Sequence, residues 1–282
     1  MKTLTTISAL TALSTVFALT SCKSGESSDS AAKEDSPGKQ LLAEAIDAHG
    51  GIEKWRDNGL LKFRWTYHMT DRGAGAVVDT VQTVDPVSLA VVHTKPDSNI
   101  SFGRTAEGKY WVNPPETKVA PPVQFWSLTP TWFLGIPFVF DDAQINAKIL
   151  DEPKAFEGKD YTQVKLTYNS TAGESPDDYY VLLLDPETKV VRGAYYTVTN
   201  PLVYKGGPVT PKFITLDNLQ EIDGLMLAGG HKTYSMTDGV IGDQMRYTDV
   251  SEVAFIPRKG FDFTPPEGAQ FLDPVPSAEK AE

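Results

Sequence analysis

The residues able to do acid–base or metal chemistry are few and scattered. Histidine is the commonest metal ligand and the side chain that titrates nearest neutral pH. The 282-residue chain has four, His49, His68, His93 and His231. None stands in an HExxH or comparable ligand spacing, so each reads as a turn residue or a solvated strand residue. Asp141-Asp142 and Asp177-Asp178 are adjacent acids. Paired carboxylates can serve acid–base hydrolysis or calcium binding. Both pairs follow turn-like residues and lack the odd-position ligand pattern of a calcium loop, which favours solvated turn acids. There is no G-x-S-x-G elbow of an α/β-hydrolase, and Gly73-Ala74-Gly75 lacks the third glycine of a dinucleotide fingerprint. No catalytic residue, metal or cofactor is expected.

The single cysteine carries a different chemistry. One cysteine excludes an internal disulfide framework and leaves no Cys/His cluster for structural zinc. Met1 to Ser21 holds one charge, Lys2, followed by a mainly apolar run from Ile7 to Leu19. A permanent span needs about 20 apolar residues, so this reads as a cleaved secretory signal. It ends Leu19-Thr20-Ser21-Cys22, which resembles the bacterial lipobox, where the peptide is cut before the cysteine and the cysteine is acylated. Each buried CH₂ contributes about 0.8 kcal/mol, so several acyl chains anchor firmly. An ordinary secreted protein with an incidental free cysteine is the alternative. Lys23, where an Asp would retain an enteric lipoprotein in the inner membrane, favours the outer membrane by resemblance. In such a setting the glycosylation sequons Asn99-Ile100-Ser101 and Asn169-Ser170-Thr171 carry no meaning.

The rest of the chain must position any further site. Residues 22–38 are Ser-, Gly- and charge-rich and read as a flexible tether; 276–282 read as a disordered tail. Lys39 to Arg56 carries apolar residues at helical spacing, interrupted by His49-Gly50-Gly51, which predicts a helix, a glycine break and a short second turn. In Leu60 to Met69, Leu61, Phe63, Trp65, Tyr67 and Met69 alternate with polar residues, the pattern of a half-buried antiparallel strand. Further strands are expected near 76–84, 87–94, 99–104, 109–113, 145–150, 161–169, 178–185, 190–199, 212–222, 225–236 and 244–255. Asp185-Pro186-Glu187-Thr188 and Asp223-Gly224 mark hairpins. Short strands with brief turns imply one mainly β domain, 39–275, built on a large antiparallel sheet that is curled or closed. Gln124 to Phe140 breaks the rhythm. It packs Phe125, Trp126, Trp132, Phe133, Phe138 and Phe140 together, and Pro130 and Pro137 favour short helical turns over a strand. Gly135 lies between its aromatic halves, where it serves either a hinge or a tight turn. With 26 basic and 37 acidic residues the net charge is −11, which argues against nucleic acid or an anionic lipid surface as a partner.

AIDAHGGIEKW, FW…TWFLGIPF, SPDDYYVLLLDPETKVV and FDFTPPEGAQF occur in that order. Together they resemble an uncharacterised family of bacterial lipoproteins (a domain of unknown function), similar in turn to the superfamily of lipoprotein-sorting carriers and receptors of LolA/LolB type. The resemblance spans most of residues 40–272. It implies a strongly curved antiparallel sheet, an incomplete barrel, with an N-terminal helix and the 124–140 segment as lid elements over an apolar cavity. A ligand site for a lipid or acyl chain would then involve Phe125, Trp126, Trp132, Phe133, Phe138, Trp65 and Tyr67. The carrier is soluble, whereas this chain carries a lipidation signal, and the excursions around 105–123 and 200–211 are long for that pattern, so sorting activity itself is not implied. Three readings stand: a binding module for an apolar ligand, an interaction protein of an envelope complex, and a hydrolase using acidic residues. A closed apolar cavity would favour the first, and a filled core with an exposed apolar patch the second. Converging carboxylates would favour the third. Arg64, His68 and Arg104 are rim cations by type, but alternation puts Arg64 and His68 on the face opposite Trp65.

Overall fold

A computed structural model describes residues 36–71, 73, 75–169, 175 and 177–275. Cys22, the leader, most of the expected tether and the tail 276–282 lie outside them. The protein is mainly β, 44% strand against 13% helix, in one large antiparallel sheet not closed into a barrel.

Helix α1 (Pro37–Ala48) starts where local chemistry dictates. Ser36 Oγ accepts from the Lys39 N–H (3.3 Å) and Pro37 occupies the first turn, where its missing N–H costs nothing. The helix thus begins inside the stretch expected to be tether, because Gly38 packs on the Ala147 carbonyl, which a Cβ would approach to 2.3 Å. Gly50 and Gly51, at φ +115° and +94°, end it and admit α2 (Ile52–Asp57).

The strands are β1 (Leu60–Met69), β2 (Val78–Val84), β3 (Val91–Thr94), β4 (Ser101–Arg104), β5 (Tyr110–Asn113), β6 (Ile145–Ile149), β7 (Lys154–Phe156), β8 (Lys159–Tyr168), β9 (Tyr179–Leu184), β10 (Val191–Tyr196), β11 (Lys212–Thr215), β12 (Asp217–Ile222), β13 (Leu225–Thr237), β14 (Val240–Ile256) and β15 (Gln270–Phe271). The expected strand 212–222 is two strands, broken at Leu216. β7 and β15 are additions, too short to show a period. Both expected hairpins form: Asp185 Oδ1 accepts from the Glu187 and Thr188 amides at 3.0 Å, and Asp223 and Gly224 both take positive φ, as a type I′ turn requires.

Neighbouring strands run β15-β5-β4-β3-β2-β1-β14-β13-β11-β10-β9-β8-β6. Laid flat, thirteen strands would span about 58 Å at the usual spacing. Yet a single buried cluster draws side chains from β1 to β6, β8 to β11, β13 and β14 together with Trp55 and the 123–140 segment, so the sheet rolls around one core. In β1, Leu61, Phe63 and Trp65 face that core and are fully buried. Tyr67 and Met69 share their face but are only half-buried, because they lie at its open end. Between strands β5 and β6, α3 (Val123–Trp126), α4 (Thr129–Leu134) and a 3₁₀ turn (Phe138–Phe140) lie on the inner face, the short helical turns that the prolines predicted.

Candidate functional site

The lid segment meets the sheet through its rings. Trp126 packs edge-on to Tyr67 (5.2 Å between centroids), Phe133 meets Tyr196 (5.1 Å) and His231 (6.4 Å), and Trp65 beneath them touches His231 (5.3 Å). Trp132 donates its indole N–H to the Tyr168 hydroxyl, whose own pKa burial pushes up to about 12. Of the expected site residues, Trp65, Tyr67, Trp126 and Phe133 therefore converge, with Trp132 beside Tyr168. Phe138 lies apart, stacked on Trp55 of α2 at 5.0 Å, and Phe140 meets Tyr180. Phe125 is half-buried against the core. Gly135 is not built as a hinge. Its φ is −82°, and a Cβ there would meet Val139 Cγ1 at 2.6 Å and Trp55 at 3.0 Å. Its bareness lets the end of α4 press onto Trp55.

The histidines overturn the solvated reading: all four are buried. His49, at the end of α1, donates from Nδ1 to the Met226 carbonyl and accepts the Val191 N–H at Nε2, both at 3.0 Å. It is a neutral clasp joining helix to β10 and β13, and burial lowers its pKa. His93 Nε2 donates to the Ser127 carbonyl (2.8 Å) between α3 and α4, so it ties the lid to β3. His231 Nδ1 donates to the Thr215 carbonyl (2.9 Å). Burial depresses both His93 and His231 to about 4, so each is neutral at pH 7. His68 faces outward from the core, stacked on Tyr247. An imidazole that bonds a backbone carbonyl in the interior leaves no ligand spacing in the sequence, so the spacing of the histidines carries no sign of it.

The contact between the lid and the sheet beneath it is not uniformly apolar. Trp65 Nε1, Gln82 Oε1, Trp126 Nε1, Thr131 Oγ1 and His231 Nε2 are buried without a protein partner among the described residues. Native interiors leave few such atoms. The indoles donate, the amide oxygen and the imidazole nitrogen accept, and the hydroxyl does either. A methylene chain satisfies none of them, whereas ester or hydroxyl groups match their needs.

At the open end of this face the lining turns polar. Arg246 sits opposite Met69 and Thr233, Lys212 opposite Tyr196, and Tyr180 opposite Tyr196 on the other side. Lys212 and Arg246 are half-buried. Asp178 lies beside Lys212, and burial pushes its carboxyl up to about 6. The turn-acid reading holds for Asp142, which accepts the Gln144 amide, and for Asp141, in an exposed ion pair with Arg56 at 2.7 Å. It fails for Asp178. Arg64 pairs with Asp79 on the outer face at 2.7 Å, while Arg104 caps the Ser88–Leu89 carbonyls. Asp142 and Asp178, one from each pair, both act on the Tyr168 hydroxyl, but no metal-binding cluster of three or more His, Cys, Asp or Glu occurs among the described residues.

A groove of about 840 Å³ lies on the opposite face, over Val181, Tyr195 and Met236, rimmed by Lys154, Lys165, Glu152 and Asp238. The Tyr195 hydroxyl is buried there without a partner among the described residues.

This arrangement, helical turns seated in a rolled open sheet, is the LolA-like fold. A LolA superfamily protein from Nitrosomonas europaea is 13% identical, covering 80% of this chain and 97% of that one, at a TM-score of 0.50. A domain named for outer membrane lipoprotein sorting, from Vibrio parahaemolyticus, is 13% identical over 80% and 95%, at 0.48. A DUF1329 family protein from Desulfovibrio piger is 10% identical over the same shares, also at 0.48. No protein-family model and no curated protein matches the sequence, so the likeness is one of fold.

Proposed function

We propose that this chain is a lipid-anchored protein of the bacterial envelope. In this reading it binds a lipid or another largely apolar ligand between the 123–140 lid and the inner face of the sheet. The observation that carries the reading is the lid itself. It is a separate segment, held by aromatic contacts and by a few hydrogen bonds such as His93–Ser127, and some buried polar atoms of both the segment and the sheet beneath it lack protein partners among the described residues. A ligand entering there displaces the lid's rings from Tyr67, Tyr196 and His231. It regains apolar burial at about 25 cal/mol per Å², and any ester or hydroxyl groups it carries reach the unpartnered polar atoms. The LolA-like fold supports this use of the inner face. Residues 39–275 act as one domain, tethered through acylated Cys22, with the outer membrane favoured by Lys23.

The test is quenching of tryptophan fluorescence by a titrated brominated fatty acid, with Trp132→Leu for comparison. Saturable quenching that weakens in the variant is expected; its absence in ligand-free protein well above micromolar ligand removes the reading. Separately, Cys22→Ala should move the protein from the membrane fraction to the soluble one. A second reading, a docking module of an envelope complex, is favoured by one feature, the groove with its apolar floor on the opposite face.

A further inference from the structure

We infer that the ligand is an anionic amphiphile whose headgroup lies at the open end of the inner face, between Lys212 and Arg246. The inference rests on the inner-face binding proposed for this chain and narrows it to a ligand class. Register puts both cations on the core side. Lys212 precedes Ile214, a core residue, by two positions on β11, and Arg246 opposes Thr233, which opposes Ile214. Burial lowers the lysine's pKa, and the Arg246 charge stands near enough to lower it further. Like charges placed side by side and half-removed from water repel, and each loses hydration. Among the described residues neither forms an ion pair with a carboxylate, and the Arg246 Nε is buried without a partner. Asp178 is the acid beside Lys212, and its burial favours the protonated form. Raised only to about 6, it is mainly ionised at pH 7 and offsets one of the two positive charges, which leaves the pair with a net positive charge.

An oxyanion that bridges an ammonium and a guanidinium supplies the missing charge and the missing acceptor together. The surrounding tyrosines Tyr67, Tyr168, Tyr180 and Tyr196 suit the boundary between a headgroup and a chain, with ring against chain and hydroxyl toward polar groups. The lid rings Trp126, Trp132 and Phe133 stand at the same end, so a chain continuing from the headgroup passes beneath them. The protein's net charge of −11 repels anions at long range, but that field is screened beyond about 8–10 Å at ordinary ionic strength. The two inward cations dominate locally.

A carboxylate and a phosphate share this chemistry, and the experiment separates them. Full-length acylated protein, purified and delipidated, is titrated with three quenchers: a brominated fatty acid, its methyl ester, and a brominated phospholipid with a phosphate headgroup. The same series is run on Lys212→Gln and Arg246→Met, each shown folded by its thermal transition. The wild type should bind at least one anionic probe about tenfold or more tighter than the neutral ester, a gap of about 1.4 kcal/mol. The tighter of the two anions identifies the headgroup, and each variant should lose most of the preference while still binding the ester. Equal wild-type affinity for ester and anions overturns the headgroup assignment and leaves the inner-face site standing. No saturable quenching by any probe overturns the inner-face site itself. If a variant fails to fold, the acid-against-ester comparison on the wild type still decides.

Discussion

The two faces of strands β8 to β11 and β13 are both apolar, yet they are finished differently. On the inner face Leu182, Leu184, Ala194, Tyr196 and Ile214 join the main core beneath the helices. On the outer face their alternating neighbours Val181, Leu183, Tyr195 and Phe213 join Tyr161 and Met236 in a second cluster. That cluster is covered mainly by Phe156 of β7, whose ring meets Phe213 at 4.8 Å, and by Arg192 over Phe156. The inner face is sealed by aromatic rings but retains unpartnered polar atoms and two inward cations. The outer face keeps an open groove whose lysines rest on rings, Lys165 on Tyr179 and Lys154 on Tyr195. Apolar area alone therefore does not tell the two faces apart. The inner face differs in being covered by a long helical segment whose rings join the main core, and the outer in being covered by one short strand.

The contrast between the faces can be broken most easily from the inner side. Trp65 is 1% exposed, and Trp65→Ala should destabilise the fold by about 3–5 kcal/mol in urea unfolding. A loss below about 1 kcal/mol would mean that the inner face is no true core. Acid should weaken the same face. His231 is protonated near its usual pKa of 6.5 when unfolded but only near about 4 when folded. The unfolded state therefore binds the extra proton between those values, and stability falls as pH drops from about 6.5 to about 4. Asp178, raised to about 6, acts with the opposite sign between about 6 and its usual carboxylate range. Unfolding curves across this pH window should decline less in His231→Gln than in the wild type, by about 3 kcal/mol in total; parallel curves would show that the imidazole is not held neutral.

The lid's seating is the next contrast. Gly135→Ala places a methyl against Val139 and Trp55 and should cost about 1–3 kcal/mol by overpacking. A neutral result would mean that the end of α4 moves freely off Trp55. The outer face should respond least. Tyr195→Phe removes a buried hydroxyl that has no partner among the described residues, so thermal unfolding should show a neutral or slightly stabilising change, within about 1 kcal/mol. A clear loss of stability would reveal that the hydroxyl is engaged. Lys62→Ala, on the solvated side of β1, sets the baseline at about 0.5 kcal/mol or less.

The strand β1, the helix with its glycine break, the two hairpins and the helical character of 124–140 were legible because each has a local cause: a period, a cap, a turn residue or a proline. The continuous apolar run of β9, Tyr-Tyr-Val-Leu-Leu-Leu, signals a strand covered on both faces, although what covers the outer one is invisible in it. Lys212 and Arg246 were not legible as a pair. They are 34 positions apart in the chain, and only the β11–β13–β14 register turns both toward the core. His49, His93 and His231 look like strays for the same reason, since their partners are backbone carbonyls far away in sequence.

The sequence by itself determined where strands and helical turns form and which segment could not join the sheet, because period, capping and proline geometry act over a few residues. Tertiary structure alone decided which polar side chains lie inside, which cations meet and which face is left open. Those outcomes depend on how the fifteen strands among the described residues are ordered and registered, and a shift of one residue would turn each of these side chains to the other face.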